Sequence, residues 1–423
     1  VVAAYDELRG RGLVTSQRGS GTRVSAGAAR PRPDGRVAGG QATSIVQRLV
    51  AGPGDVISLA YAIEAGVPEL ADALRELVDE ELPALLTDVG YHPRGLPALR
   101  EAIAVHLSGH GVPTTAGQVL VTTGATQAVA LVAQLYLRRG TTVLVESPGW
   151  PGCLDAFRAA GARLVGVPLD DEGIALEPLG TALTSENPSL VYVMPTYHNP
   201  TGTLMSAPRR RRVAELAARA DVPVVEDNAY AAAATDVTLL AGYAPRDAEV
   251  LSIGSLAKPV WGGLRIGWVR APGDVIERLA RHKALADLGS PVLDQALAAR
   301  LLPRLGPLTA TRQATLRQRL HRLETSLRAE LPDWRWRTPD GGSALWIDLG
   351  TVNAQVYAQV ALRHGIEVVP GAAMDASGAH DGFIRLPYTF PEPVLDELVV
   401  RLRRAWADLH RHGPATPTTH PIV

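Results

Sequence analysis

Lysine is almost absent from this 423-residue chain: of 42 lysines and arginines only Lys258 and Lys283 are lysine. Cysteine occurs once, at Cys153, which excludes an internal disulfide and points to a reducing cytoplasm. A small core or near-surface position suits Cys153 better than a nucleophile's role. No charge of either sign predominates; the formal net charge of -1 gives no whole-chain case for binding nucleic acid or a membrane surface, although a local basic patch stays open. No apolar run approaches the ~20 residues of a membrane span, and no secretory leader pattern is read. What remains is a globular composition, 46% hydrophobic and 20% charged, long enough for two or more domains around a large buried core.

The rarity of lysine carries chemical information. A guanidinium is charged at any accessible pH and cannot condense with an aldehyde, whereas an amine can. A surviving lysine therefore marks either a position arginine cannot fill or simple chance. For Lys283, within a helical pattern over residues 275–288, chance survival is the reading. For Lys258 the neighbours decide.

Residues 1–12 read as helical, and residues 13–15 and 22–24 as two short strands around a Gly- and Ser-rich turn. Residues 26–43, rich in Gly, Ala, Pro and Arg, read as a linker. From residue 44 to about 290 helical patterns (69–86, 98–109) give way to apolar strands (119–121, 142–145, 190–194, 222–225) alternating with helices. That alternation predicts a mainly parallel, buried α/β sheet. Residues 291–411 form a smaller α+β unit, with a long helix over 312–331, a strand over 343–349 and a final helix. The first part of the large unit, 44–85, lies partly with the small one. Residues 412–423 read as a tail.

Ligands of such sheets collect beyond the carboxyl ends of the strands. Gly124-Ala125-Thr126-Gln127 sits between a strand and a helix, where free N–H groups and the helix dipole seat a phosphate, with the Thr126 hydroxyl added. Ser255-Leu256-Ala257-Lys258, with Arg265 following Gly262-Gly263, supplies a hydroxyl, an amine and a guanidinium. These are the groups needed to hold a phosphorylated aldehyde at both ends. Asn199, in His198-Asn199-Pro200-Thr201-Gly202, is placed to donate to a phenolate oxygen, though Asn-Pro also serves as plain turn chemistry. Asp227 ends a strand, and a buried carboxylate there needs a cation such as a protonated pyridine nitrogen. Tyr230 joins Asn199 at the ring oxygen, and Trp150 offers a flat face for stacking.

Taken in order, Tyr91-x-x-x-Gly95-x-x-x-Leu99-Arg100, Gly124-Ala125-Thr126-Gln127, Asn199-Pro200-x-Gly202, Asp227-x-x-Tyr230, Ser255-x-x-Lys258 and Arg265 resemble the class I/II aminotransferases, the fold type I enzymes dependent on pyridoxal 5′-phosphate. The resemblance runs from about residue 44 to 411. It implies Lys258 as the Schiff-base lysine and Asp227 at the pyridine nitrogen, with Asn199 and Tyr230 at the ring oxygen and Trp150 stacked. Thr126, Ser255, Arg265 and the turn at Gly124 and Ala125 would take the phosphate. Tyr91 would reach the phosphate of a neighbouring subunit, which implies a homodimer with shared active sites. Arg385, in Phe383-Ile384-Arg385-Leu386, matches the position that grips a substrate's α-carboxylate, although it also reads simply as an arginine on a strand. No metal site is assigned. The stretch from Ala60 to Pro68 departs from the family's usual Gly-x-Pro and Phe-Pro pattern. It places Tyr61 where members contribute substrate-facing residues, which leaves room for an unusual substrate. Thr141 replaces a common aspartate and is expected to matter little.

Residues 1–25 resemble the last helix and wing of a GntR-type winged helix, through Ala4-Tyr5-x-x-Leu8, Gly12-Leu13 and Arg18-Gly19-Ser20-Gly21-Thr22-x-Val24. Joined to an aminotransferase-like unit, this is the layout of MocR/GabR regulators. A 25-residue remnant neither folds alone nor presents a helix to a major groove, so operator binding is not expected of the chain as it stands. The expected function is that of a PLP-dependent enzyme acting on an α-amino acid. Transamination is its default outcome, and elimination, replacement or carbon–carbon bond formation are variants of the same chemistry. The alternative is an effector-sensing PLP domain of a regulator.

Overall fold

The computed structural model describes residues 14–17, 21–24, 56–62, 64–234, 237–246 and 248–412. The expected first helix, the linker over 26–43 and the tail beyond 412 lie outside these residues. Two compact units divide at residue 52. In the first, β1 (Val14–Gln17) and β2 (Gly21–Val24) form an antiparallel hairpin.

The second unit holds β3 (Ile57–Ser58), then α1 (Glu69–Glu80), α2 (Leu82–Leu85) and α3 (Pro97–Gly109). Next come β4 (Val119–Thr122), α4 (Ala125–Tyr136), β5 (Thr142–Ser147) and α5 (Pro151–Ala159). β6 (Arg163–Asp170), β7 (Gly173–Ile174), α6 (Leu176–Ser185), β8 (Leu190–Val193), α7 (Ala207–Arg219) and β9 (Val224–Asp227) follow. β10 (Val250–Ser255), β11 (Gly267–Arg270), α8 (Gly273–Asp287), α9 (Val292–Leu301) and the long α10 (Leu305–Glu330) lead to the C-terminal part. That part contains β12 (Arg335–Trp336), β13 (Ala344–Asp348), α11 (Ala354–Arg363), β14 (Ile366–Glu367), β15 (Val369–Pro370), β16 (Phe383–Pro387) and α12 (Glu392–His412).

Eight strands form the large sheet in the order β4-β11-β10-β9-β8-β5-β6-β7. The run from β10 to β6 is parallel, and β11 enters antiparallel between β4 and β10. The sheet is therefore mainly parallel, as expected. Alternate residues of its strands feed two apolar layers. Val145, Tyr192, Val225 and Ile253 face α4, α5 and α8; Leu144, Val191, Val224 and Val250 face α6 and α7. Burial on both faces is why these strands read as continuous apolar runs. A four-stranded antiparallel sheet, β12-β13-β16-β15, packs on α10, α11 and α12, and β3 pairs in parallel with β14.

Three of the boundaries that differ from the expected ones lie at a proline. The helix expected over 69–86 breaks at Glu81, because Pro83 opens a new short helix. The strand expected over 222–225 instead spans Val224–Asp227, since Pro223 has no N–H to give a central strand. The long helix starts at Leu305 rather than 312, because Pro307 lies in its first turn, where a missing N–H costs nothing.

At the carboxyl end of β5 a glutamate that sequence reading passed over is buried. Glu146 is 2% exposed; one oxygen accepts from the Met194 N–H at 2.6 Å and the other has no hydrogen-bond partner among the described residues. His198 Nε2 lies 3.4 Å away, equally buried. Burial pushes the Glu146 carboxyl up to about 8 and the His198 imidazole down to about 3, so the pair is held neutral. A raised carboxyl means the folded chain binds more protons than the unfolded one between pH 4.5 and 8. This contribution to stability is therefore present at low pH and lost as the pH climbs to about 8. Glu146→Gln should flatten that decline, by on the order of a few kcal/mol across the window. Denaturant unfolding of the apoprotein from pH 5 to 8.5 measures it, and an unchanged slope would overturn it.

Candidate active site

Strand register assembles the site. Ser255 pairs with Gly267, and Gly267 with Thr122, so the ends of β10, β11 and β4 lie in one row. That row leads directly into the turn before α4 and the loop bearing Arg265. One strand over, Asp227 pairs with Ile253, two residues before Ser255. Residues far apart in sequence thereby share one sheet edge.

Gly124 caps α4 with φ 104°, and its region exposes the N–H groups of the first turn, with Thr126 exposed beside them. A Cβ on Gly124 would stand 3.0 Å from an Arg265 guanidinium nitrogen, and one on Gly267 would collide with Gly124 itself at 2.7 Å. Arg265 is left-handed at φ 53° and donates to the Thr123 carbonyl. Ser255 Oγ accepts from the Ala257 N–H at 3.1 Å and is otherwise only weakly engaged. Helix terminus, guanidinium and hydroxyl thus border one cradle that two glycines keep open, which suits a phosphate.

Lys258 follows on the turn after β10. Its amine donates to the Ala62 carbonyl at 2.8 Å and lies 5.3 Å from the centre of the Tyr230 ring. Arg312 on α10 fastens this segment, donating to the Lys258 carbonyl at 2.6 Å and the Ala65 carbonyl at 2.5 Å while its Nε faces Glu64 at 3.2 Å. Asp227, 1% exposed, accepts from the Tyr192 hydroxyl at 2.6 Å and the Ala229 N–H at 3.0 Å. Burial raises its pKa, against these bonds and the Lys258 charge. No protein cation bonds to this carboxylate among the described residues, which fits the protonated ring nitrogen of a pyridine cofactor.

The Tyr230 hydroxyl shares a 2.6 Å hydrogen bond with Ser343. Burial pushes its pKa up, but the charges of Lys258 and Arg385 and the Ser343 bond together outweigh this, and the phenol ends below its usual range. Arg385, 6% exposed on β16 opposite Trp346, has no acidic partner among the described residues, and its Nε is unpaired. A cavity of about 300 Å³ opens beside these groups, with Ala62, Tyr197, Tyr230, Lys258, Ser343 and Tyr388 in its walls.

The remaining expected residues are less engaged. Trp150 precedes α5 and packs against the core under β5, its indole filling the space a Cβ on Gly152 would need. The Asn199 side chain has no hydrogen bond among the described residues, and Tyr61 is half-buried on the loop after β3. Tyr91 is 67% exposed before α3, outside this cluster of contacts. Cys153 is buried, and the Thr141 hydroxyl bonds the Arg138 carbonyl in a surface turn. Tyr192, Ser343, Arg312 and the Ala62 carbonyl were not found by sequence reading. Each acts through a partner at least 35 positions away, and no local motif marks it.

The family described as aminotransferase class I and II matches residues 68–402. A Bacillus subtilis (strain 168) protein named as the HTH-type transcriptional regulator YisV is 33% identical over 414 residues, covering 92% of this chain and 84% of the relative. The 2-aminoadipate transaminase of Thermus thermophilus is 32% identical over 304 residues, 68% of this chain and 75% of the relative. Among solved structures, the alpha-aminoadipate aminotransferase LysN of Thermus thermophilus, complexed with N-(5′-phosphopyridoxyl)-L-leucine, superposes with TM-score 0.78 at 29% identity. The match covers 89% of this chain and 97% of that one. This chain therefore belongs to the aminotransferase class I and II family, in its MocR-like branch, as a fold type I enzyme whose cofactor is pyridoxal 5′-phosphate.

Proposed function

We propose that the chain transaminates an α-amino acid, with Arg385 holding the substrate's α-carboxylate. The carrying observation is Arg385 itself, a buried guanidinium without an acidic partner among the described residues, near enough to Tyr230 to bias its ionisation. A buried cation left unpaired is costly, and a ligand carboxylate completes it. Pyridoxal 5′-phosphate, when bound, supplies an aldehyde and an electron-withdrawing ring. Lys258 would be the residue that holds it through its aldehyde, and the Lys258 amine, once displaced by the substrate's, would be the base placed to take the proton from the substrate's α-carbon. Asp227 would keep the ring nitrogen protonated, Tyr230 and Asn199 would donate at the ring oxygen, and Trp150 would cover one face. Ser255, Thr126, Arg265 and the N–H groups of Gly124 and Ala125 hold the phosphate, and Tyr61 borders the substrate. Exposed Tyr91, Val89, Leu86, Leu285 and Leu288 suit a homodimer in which Tyr91 reaches the partner's phosphate. Among the described residues no helix is long and apolar enough to cross a membrane.

A second reading is the effector-sensing domain of a transcriptional regulator, favoured by the extended match to YisV. One experiment separates the two. The purified protein with PLP is given a panel of amino acids that includes 2-aminoadipate, kynurenine and aromatic residues, and absorbance and keto-acid formation are followed. Turnover of at least one substrate is expected; a stable spectral complex without product from any of them sinks the enzyme reading and leaves the sensor.

Two variants test the assignments. Arg385→Gln should lower kcat/KM about a hundredfold or more, the scale of breaking a buried ion pair, while retaining PLP. Lys258→Ala should lose the absorbance of lysine-bound cofactor, and persistence of that band would overturn its role.

A further inference from the structure

The second lysine is not on the surface. Lys283, on α8, is 0% exposed, and its amine donates to both Asp287 oxygens, at 2.9 and 2.7 Å, and to Gln127 Oε1 at 3.2 Å. Gln127 lies in the first turn of α4. Its Nε2 donates to Asp287 at 2.7 Å, while its Oε1 also accepts from the Thr123 N–H at 2.9 Å. The carbonyl of the same Thr123 receives the Arg265 guanidinium beside Gly124. Asp287 also accepts from the Gly289 N–H at 3.0 Å, and Gly289 packs against the backbone of His92, the neighbour of Tyr91. One buried ammonium thus sits behind the turn before α4, Arg265 and the Tyr91 loop.

We infer that Lys283 is a positioning residue for the cofactor's phosphate, acting through Gln127 and Thr123. This rests on the reading that the α4 terminus and Arg265 hold that phosphate. Three acceptors converge on one buried amine, whose three N–H groups match them in number. With the amine in place, both ends of the Gln127 amide are engaged and its oxygen faces the Thr123 N–H. Without it, Asp287 loses its cation, the amide is free to turn, and the turn carrying Gly124 and the Thr123 carbonyl is held by one contact fewer. Lys283 touches neither substrate nor cofactor and takes no part in proton transfer.

The test uses the full-length apoprotein and ligands with and without the phosphate. In Lys283→Met, the PLP dissociation constant should rise about tenfold or more, the usual scale for removing the support behind a ligand-binding group. The inorganic phosphate concentration that protects the apoprotein thermally should rise alongside it, whereas affinity for pyridoxal, which lacks the phosphate, should change less than about twofold. Gln127→Leu, prepared in parallel, keeps the Lys283–Asp287 pair while cutting the link to Thr123. It should reproduce the pattern even where Lys283→Met fails to fold. Unchanged PLP affinity in Gln127→Leu, or equal weakening of PLP and pyridoxal, would overturn the inference. Arg265→Gln separates the two levels: if it too leaves PLP affinity intact, the phosphate assignment itself is wrong; if it alone weakens PLP, only the role of Lys283 is.

Discussion

Buried charge without a protein counter-charge is the constraint on which this structure turns. Asp227 has only a phenol and an amide N–H as donors, and Arg385 has a buried unpaired nitrogen and no acid among the described residues. A folded chain does not retain such groups cheaply, because each loses its hydration and gains no equal partner. They persist here on strands of two different sheets, Asp227 at the end of β9 and Arg385 in the middle of β16, whose ladders hold them in place. A ligand carrying one cation and one carboxylate satisfies both, and an amino acid joined to a pyridinium cofactor has that pattern of charge. The cost of burying such groups is offset by a ligand of that charge pattern.

The surrounding chain is organised to keep that arrangement stiff. β9 alternates Asp227 toward the site with Glu226 toward the opposite layer. Glu226 is fully buried and accepts from Leu240 N–H, Ala241 N–H and the Ser252 hydroxyl. A strand end bearing two consecutive carboxylates is tolerable because one is consumed by local donors and only the other is left for chemistry. On the far side, Arg312 joins α10 to the carbonyls of Lys258 and Ala65, so the loop over the cavity and the lysine segment are gripped by one guanidinium. Arg319 shares Glu64 with it at 2.8 Å.

Much of this was legible in order along the chain. Lys258, Ser255, Arg265, Asp227 and Gly124 announce themselves through chemistry that few other residues supply, at strand ends that apolar periodicity marks. The mainly parallel sheet was legible for the same reason. What escaped is non-local or inverted. β11 runs antiparallel inside a parallel sheet, and only its register with β10 and β4 shows why the segments bearing Ser255, Arg265 and Gly124 meet. Tyr192 reads as one more apolar strand residue until its hydroxyl is seen 2.6 Å from Asp227. Glu146, at the end of β5, and His198, in the loop after β8, are polar residues beyond the apolar runs, yet both are buried. Proline moved the boundaries that periodicity alone set wrongly.

The scarcity of lysine now has a different meaning from the one it carried in sequence. There, one lysine was chemically required and the other was a survivor. In the fold, both are held away from the arginine-rich surface: Lys258 in the wall of a cavity, Lys283 with no exposure at all. Where a cation meets water or an exposed carboxylate, arginine does the work, as Arg94, Arg163 and Arg322 do in surface pairs. Such pairs add little and tolerate either residue. One lysine position demands a titratable nucleophilic amine, which a guanidinium cannot supply, and in the other a buried ammonium meets three converging acceptors. In a chain that uses arginine for nearly every cation, both exceptions thus lie inside the fold, one in the wall of the cavity and one behind the turn before α4.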